Sequence, residues 1–251
     1  MIRLIRAELF KLRTTRMYLI LLAAATSLVV LVTAMQFALG DDSSLTIEGA
    51  ATVIETEADL RSVLDVSGVA VLFTLILGAT ALSGEHRHHT IATTFLLTPT
   101  RSRLVAAKVV AYILAGAAFG IVVEAAALVV AVAWLTITAA PIPFGPTVVA
   151  GLALTPIATG LAAGFGVGIS AIFSNQLGAV LVAFGWVMIV EQLMSGMIPG
   201  VGKWLPFTGA GAAISGLHPD IGSAAGIGLF LVYLIVIAAI GTQITRRRDI
   251  G

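Results

Sequence analysis

Six mostly apolar runs, each of about 20 residues or more, recur along this chain of 251 residues. They are Met17–Leu39, Val63–Leu82, Leu104–Thr138, Thr147–Phe173, Gln176–Ile198 and Ile221–Thr245. A helix of that length crosses roughly 30 Å of hydrocarbon and satisfies its own backbone polar groups, which lipid cannot do. Only 11% of the residues are charged, against about a quarter in an ordinary soluble domain. The chain therefore lacks the polar residues to cover a soluble core, and the expected fold is an all-α polytopic membrane protein. The third run, 35 residues or about 52 Å of helix, must tilt or project beyond the bilayer, on the side of Arg101, Arg103 and Lys108.

Basic residues set the expected orientation. With the N-terminus in the cytoplasm, 12 of the 14 Lys and Arg residues fall on the cytoplasmic side, leaving Arg61 and Lys203 outside. The first outer loop, Gly40–Ser62, is then acidic, carrying Asp41, Asp42, Glu48, Glu55, Glu57 and Asp59. An even number of spans returns the C-terminus, with its basic tail 246–251, to the cytoplasm. The organisation is thus 1–16 as an N-terminal amphipathic helix, 17–245 as the membrane domain, and 246–251 as the tail.

In the first of these parts, Ile2, Ile5, Leu9 and Leu12 recur at helical spacing while Arg3, Arg6, Lys11 and Arg13 take other faces. That pattern suits a helix lying in the membrane interface. An unstructured basic tail that only sets topology is the alternative. The run that follows, 23 residues, exceeds the 7–15 of a cleavable signal segment, so it reads as a retained span. Asn175 sits in a short uncharged connection that predicts a tight hairpin between spans four and five. Pro199–Asp220 is too broken to span and too apolar for a solvated loop, which predicts short re-entrant or surface-lying helices. Gly160, Gly164 and Gly168 place a small residue at every fourth position of span four, a pattern that lets helices approach closely. Gly116 with Gly120 and Gly222 with Gly226 repeat it. Pro156 predicts a local kink or opening in span four.

The longest polar interruption on the basic side is Ser83–Lys108, SGEHRHHTIATTFLLTPTRSRLVAAK. Over Glu85–Leu96 the pattern predicts a short amphipathic helix, with Glu85 in its first turn and Ile91 and Phe95 at i,i+4. Pro99 breaks it, and Arg101–Lys108 leads into span three. Such a helix suits docking into a groove of a soluble partner.

The set Gly84, Glu85, Arg87, Thr90, then Thr98, Pro99, Arg101, then Ala107 and Lys108 resembles the permeases of the ABC type-2 exporter family. The resemblance extends to the whole plan of an N-terminal in-plane helix, six spans and a broken apolar segment before the last. It implies that the 84–100 loop is a coupling helix seated on an ABC ATPase subunit, with Glu85, Arg87, Thr90, Ile91, Phe95, Pro99 and Arg101 at or beside the contact. It also implies a second permease copy or a homologous permease as dimer partner, and a bacterial cell membrane as the location. No cofactor is expected in this chain; ATP and magnesium would belong to the ATPase. No nucleic-acid partner is expected. His86, His88 and His89 depart from the family's usual form and bring pH sensitivity of the contact into play.

Other chemistry reads as follows. Glu85, His86 and His89 share a helical face that has the spacing of metal ligands, but no further cytoplasmic His or Cys completes a set. The absence of cysteine excludes disulfides, thiolate sites and thiol catalysis. Gly196–Lys203 fails the GxxxxGK phosphate-loop spacing because Met197 stands where glycine is required. Glu124 and Glu191 lie inside spans three and five, where a carboxylate costs on the order of 2.5–3.5 kcal/mol. They are candidates for a substrate path or gate, or for neutral interhelical contacts. Besides the ABC reading, two classes remain open: an ATP-independent transporter or channel using Glu124 and Glu191, and an intramembrane metalloenzyme using the histidines.

Overall fold

The fold is taken from a computed structural model, which describes residues 1–39, 54–65, 67–87, 101–216, 218 and 220–247. The described residues are helical with no strand. Six helical stretches are long and apolar enough to cross a membrane: Arg16–Ala38, Glu57–Ala79, Ser102–Ile137, Pro146–Ile172, Gln176–Met197 and Ser223–Arg247. In chain order the helices are α1 (Ile2–Thr14), α2 (Arg16–Leu39), α3 (Glu57–Leu64), α4 (Ser67–Ala79), α5 (Ser83–Arg87), α6 (Arg101–Ile137), α7 (Pro146–Ile172), α8 (Gln176–Gly185), α9 (Glu191–Met197), α10 (Ala212–Ile214) and α11 (Ser223–Arg247).

The central helix is α7, which packs against α4, α6 and α11. Glycine explains why. A Cβ on Gly78 of α4 would collide with the Ala163 carbonyl, and one on Gly166 with the Leu75 carbonyl, so these two backbones touch. Gly160 faces the Ile113 carbonyl of α6, Gly164 meets Ile113 and Leu234, and Gly168 meets Ile237 of α11. The three glycines read from the sequence therefore line contacts with two different helices of the same chain. The closest approach, Gly78 to Gly166, lies off that stripe. Without a hydrophobic drive between helices in lipid, such close van der Waals approach is what holds a bundle together. Gly166→Val is expected to abolish folding into membranes, whereas Gly228→Ala, which meets nothing within 4 Å, is expected to leave it intact. Yield of monodisperse protein in mild detergent measures both.

Several boundaries differ from the sequence reading, each for a local reason. The second span begins at Glu57, not Val63, and takes in charged residues. A capping box starts it: the Thr56 hydroxyl accepts from the Asp59 amide while the Asp59 carboxylate accepts from the Thr56 amide. Glu57 caps the fourth span, accepting from the Thr147 amide at 3.0 Å, and Gly145 leaves room for its carboxylate. At its other end α4 stops at Ala79, and the Ser170 hydroxyl of α7 accepts the amides of Leu82 and Ser83 at 2.7 and 2.8 Å. That contact turns the chain into α5.

The fifth span is not one regular helix. Asn175 caps its start by accepting from the Leu177 amide. A π-helical turn, Trp186–Val190, then separates α8 from α9. The helix α7 runs without interruption through Pro156. After α9 the chain forms a 3₁₀ turn at Gly202–Trp204, a π-helical turn at Pro206–Gly211 and α10. This segment packs on α11, with Phe207, Phe165 and Phe230 meeting edge to face at centroid distances of 5.3–6.0 Å. Gly216, at φ +76°, ends it in a conformation that other residues rarely adopt.

Candidate functional site

The N-terminal helix α1 and the last described turn of α11 lie at one end of the bundle. There the Thr245 hydroxyl of α11 bonds the Ala171 carbonyl near the end of α7, close to the Ser170–Ser83 contact. At this end sits a closed ring of four charges. Lys108 of α6 donates to Glu8 of α1 at 2.6 Å and to Glu85 of α5 at 2.8 Å; Lys11 donates to the same two carboxylates at 2.8 and 3.1 Å. Two acids and two bases alternate, so the ring is neutral. Lys108 is 1% exposed and Glu8 4%, which puts these charges where one left alone would be strongly unfavourable. A cleft of about 180 Å³ opens beside them, lined also by Thr15, Tyr112 and Gln176.

The sequence positions each member. Glu8 and Leu12 are the buried residues of α1, one turn apart, and face α6. Lys108 follows the basic start of α6, and Glu85 stands in the first turn of α5, where its charge suits the helix N-terminus. Burial alone raises the Glu8 carboxyl, but Lys108 and Lys11 outweigh it and hold it below its ordinary 4.5. For Lys11, burial lowers the ammonium, and Glu8 and Glu85 more than reverse this, holding it above 10.5. The signs fix a pH window. The Glu8 contribution is present above 4.5 and is lost as pH falls through its depressed folded value. The Lys11 contribution is full below 10.5 and lost as pH rises through its raised one. Thermal stability in detergent should therefore hold between these limits and fall on the acid side, and Glu8→Gln should flatten the acid limb.

A second buried pair lies at the opposite end. Arg61 of α3 stands 3.9 Å from Glu124 of α6, and its other amino group donates to the Ser215 carbonyl at 2.9 Å, just after α10. Gly151 of α7 leaves space for the guanidinium. The Thr155 hydroxyl of α7 lies beside the Glu124 carboxylate. That hydroxyl also reaches the Gly151 carbonyl at 3.2 Å. Arg61 thus ties α3 and α6 to the segment before the last span, a role invisible while it counts as a loop residue.

Glu191 is fully engaged. It accepts from the Trp186 indole at 2.7 Å, the Phe207 amide at 3.1 Å, the Thr208 amide at 2.7 Å and the Thr208 hydroxyl at 3.0 Å. The π-helical turn makes the first contact possible, because it brings residues five apart onto one side. The other donors are the free amides at the start of the Pro206–Gly211 turn, which no side chain of its own caps. Glu191 is therefore the cap of the broken segment that follows α9.

Of the residues tied to partner coupling, Glu85 is in the ring. Arg87 ends α5 and Arg101 begins α6. Thr90, Ile91, Phe95 and Pro99 lie outside the described residues, as do His88 and His89. Among the described residues no group of His, Asp or Glu is arranged to hold a metal ion. The structure does not bring Glu124 and Glu191 together: the first faces Arg61 and the second caps Phe207 and Thr208. The sequence reading missed Glu8 and Lys108 as partners. The available signal was one acid on the apolar side of an otherwise basic helix, and one lysine at an inward position of a span. Neither a protein-family model nor a curated protein sequence matches this chain.

Proposed function

We propose that this chain is the membrane-spanning permease subunit of an ATP-driven ABC exporter, embedded in a bacterial cell membrane with both termini in the cytoplasm. It dimerises with a second copy or a homologous permease and is moved by a separate ATPase seated on the 84–100 loop. The observation that carries this reading is the Glu8–Lys11–Glu85–Lys108 ring. It ties the N-terminal helix, the start of the loop and the start of the third span into one block, as transmission of a push from a soluble partner requires. The in-plane placement of α1 and the re-entrant placement of 199–220 belong to this proposal.

Glu85 takes a different part from the one the family resemblance implies. Its carboxylate is engaged by two lysines of its own chain, so it acts as a positioning residue, and the ATPase contact falls to Arg87 and the residues after it. Arg87→Glu should leave the yield and thermal stability of the purified chain unchanged while removing co-purification with the ATPase and ATP-dependent transport. Unchanged coupling would exclude the assignment.

One observation favours a second reading, an ATP-independent transporter using Glu124: the carboxylate is buried inside the third span and its contact with Arg61 is a loose 3.9 Å. Transport driven by a proton gradient without nucleotide, and lost in Glu124→Gln, would support it.

A further inference from the structure

Rotation about the axis of α1 separates two faces. One carries Glu8 and Leu12 into the bundle. The other carries Ile2, Arg13, Arg6, Phe10 and Arg3, which at 3.6 residues per turn fall within an arc of about 100°. Ile2 and Phe10 are 72% and 67% exposed, and the three arginines are exposed beside them. The face carries no acid, because Glu8, the helix's one carboxylate, is turned inward to Lys108. None of the three arginines has an ion pair or hydrogen bond among the described residues. Nor does the rest of this side of the sequence offer much countercharge: 88–100 has no Asp or Glu, and the tail has Asp249 beside Arg246, Arg247 and Arg248.

The height of the helix narrows the partner. A single residue, Thr15, joins α1 to α2, whose apolar run starts at Met17. Leu12 packs among Val105, Ala111, Tyr112 and Ala115 in the first turns of the third span. The exposed face is therefore held at the edge of the hydrocarbon, with large apolar residues interleaved with guanidinium groups. Arginine pairs with phosphate through two parallel hydrogen bonds, and basic side chains near a membrane surface are drawn to anionic lipid. We propose that Arg3, Arg6 and Arg13 bind the headgroups of anionic phospholipids, with Ile2 and Phe10 seated among their acyl chains. The inference rests on the in-plane placement of α1 and on nothing concerning the ATPase.

The absence of cysteine allows a clean test. Full-length protein with Ala7→Cys, an exposed position at the edge of this face, is labelled with an environment-sensitive dye. It is then reconstituted without ATPase into vesicles of phosphatidylcholine alone or of equimolar phosphatidylglycerol and phosphatidylcholine. The expected result is bluer emission and stronger protection from acrylamide quenching in the anionic vesicles. That difference should be lost in R3Q/R6Q/R13Q and retained in R3K/R6K/R13K. Identical emission and quenching in the two vesicles, or a difference that survives in the glutamine variant, would overturn the proposal. So would a dye left open to water in both, with shielding only when a soluble ATPase is added, since that assigns the face to a protein.

Discussion

Lys108→Met should cost the folded protein about 3–5 kcal/mol, the usual penalty for removing one partner of a buried ion pair. The methionine keeps most of the apolar stem and lacks only the ammonium end, so the loss is mainly electrostatic. It leaves Glu8 with Lys11 alone and removes from Glu85 the shorter of its two lysine contacts, 2.8 against 3.1 Å. The double variant Glu8→Gln, Lys108→Met should recover part of the loss, because the carboxylate most dependent on Lys108 is then neutral. Lys11→Met should cost much less, since Lys11 is about half exposed and water replaces its partner. Thermal unfolding of the four proteins in one detergent provides the comparison. Equal effects for Lys108→Met and Lys11→Met would mean that burial at Lys108 is unimportant. A large loss in Lys108→Met accompanied by release of α1, seen as new protease cleavage before Arg16, would show that the ring is the main attachment of that helix.

Glu191→Ala is the second large change. It strips the acceptor from two backbone amides, an indole and a hydroxyl at once. Hydrogen bonds to a charged acceptor contribute about 1.5–3 kcal/mol each, but the four share two oxygens and are not additive. A loss of about 3–5 kcal/mol in total is expected, since each buried donor left unpaired costs about 1–3 kcal/mol. The effect should be local first: amides of 205–216 should exchange with deuterium faster while those of α7 stay protected. Glu191→Gln keeps one acceptor oxygen and should fall between the two. If Glu191→Ala leaves exchange in 205–216 unchanged, the capping account is wrong.

What the sequence could and could not show follows from the physics of lipid. Long apolar runs are forced by backbone hydrogen bonding in hydrocarbon, so the helical class and the spans were legible from composition and length alone. Span four was legible as a packing helix from Gly160, Gly164 and Gly168, because small residues at every fourth position have one strong structural use. Gly78 and Gly166 were not, since neither belongs to a run of glycines at every fourth position and each gains meaning only from the neighbour it touches. Charges near span ends were misread for a related reason. Glu57, Arg61 and Glu85 look solvated in a linear pattern, yet each has its partner at least 23 residues away: Thr147, Ser215 and Lys108. The π-helical turn at Trp186 was invisible because nothing in WVMIV signals it, and the bond from Trp186 to Glu191 forms only once the turn is in place.

The central claim is that force from an ATPase enters through the loop that begins at Glu85 and passes into the ring that holds α1. The most direct measurement is co-expression of the chain with candidate ABC ATPases from the same genome, followed by purification. ATP hydrolysis and complex formation are then compared for the native chain, Arg87→Glu and a single Phe95→Cys cross-linking variant. The account predicts a stable complex in which Phe95→Cys cross-links to the ATPase, and loss of that complex in Arg87→Glu with the membrane domain still folded. A chain that binds no ATPase, and that transports on a proton gradient until Glu124→Gln stops it, would contradict it.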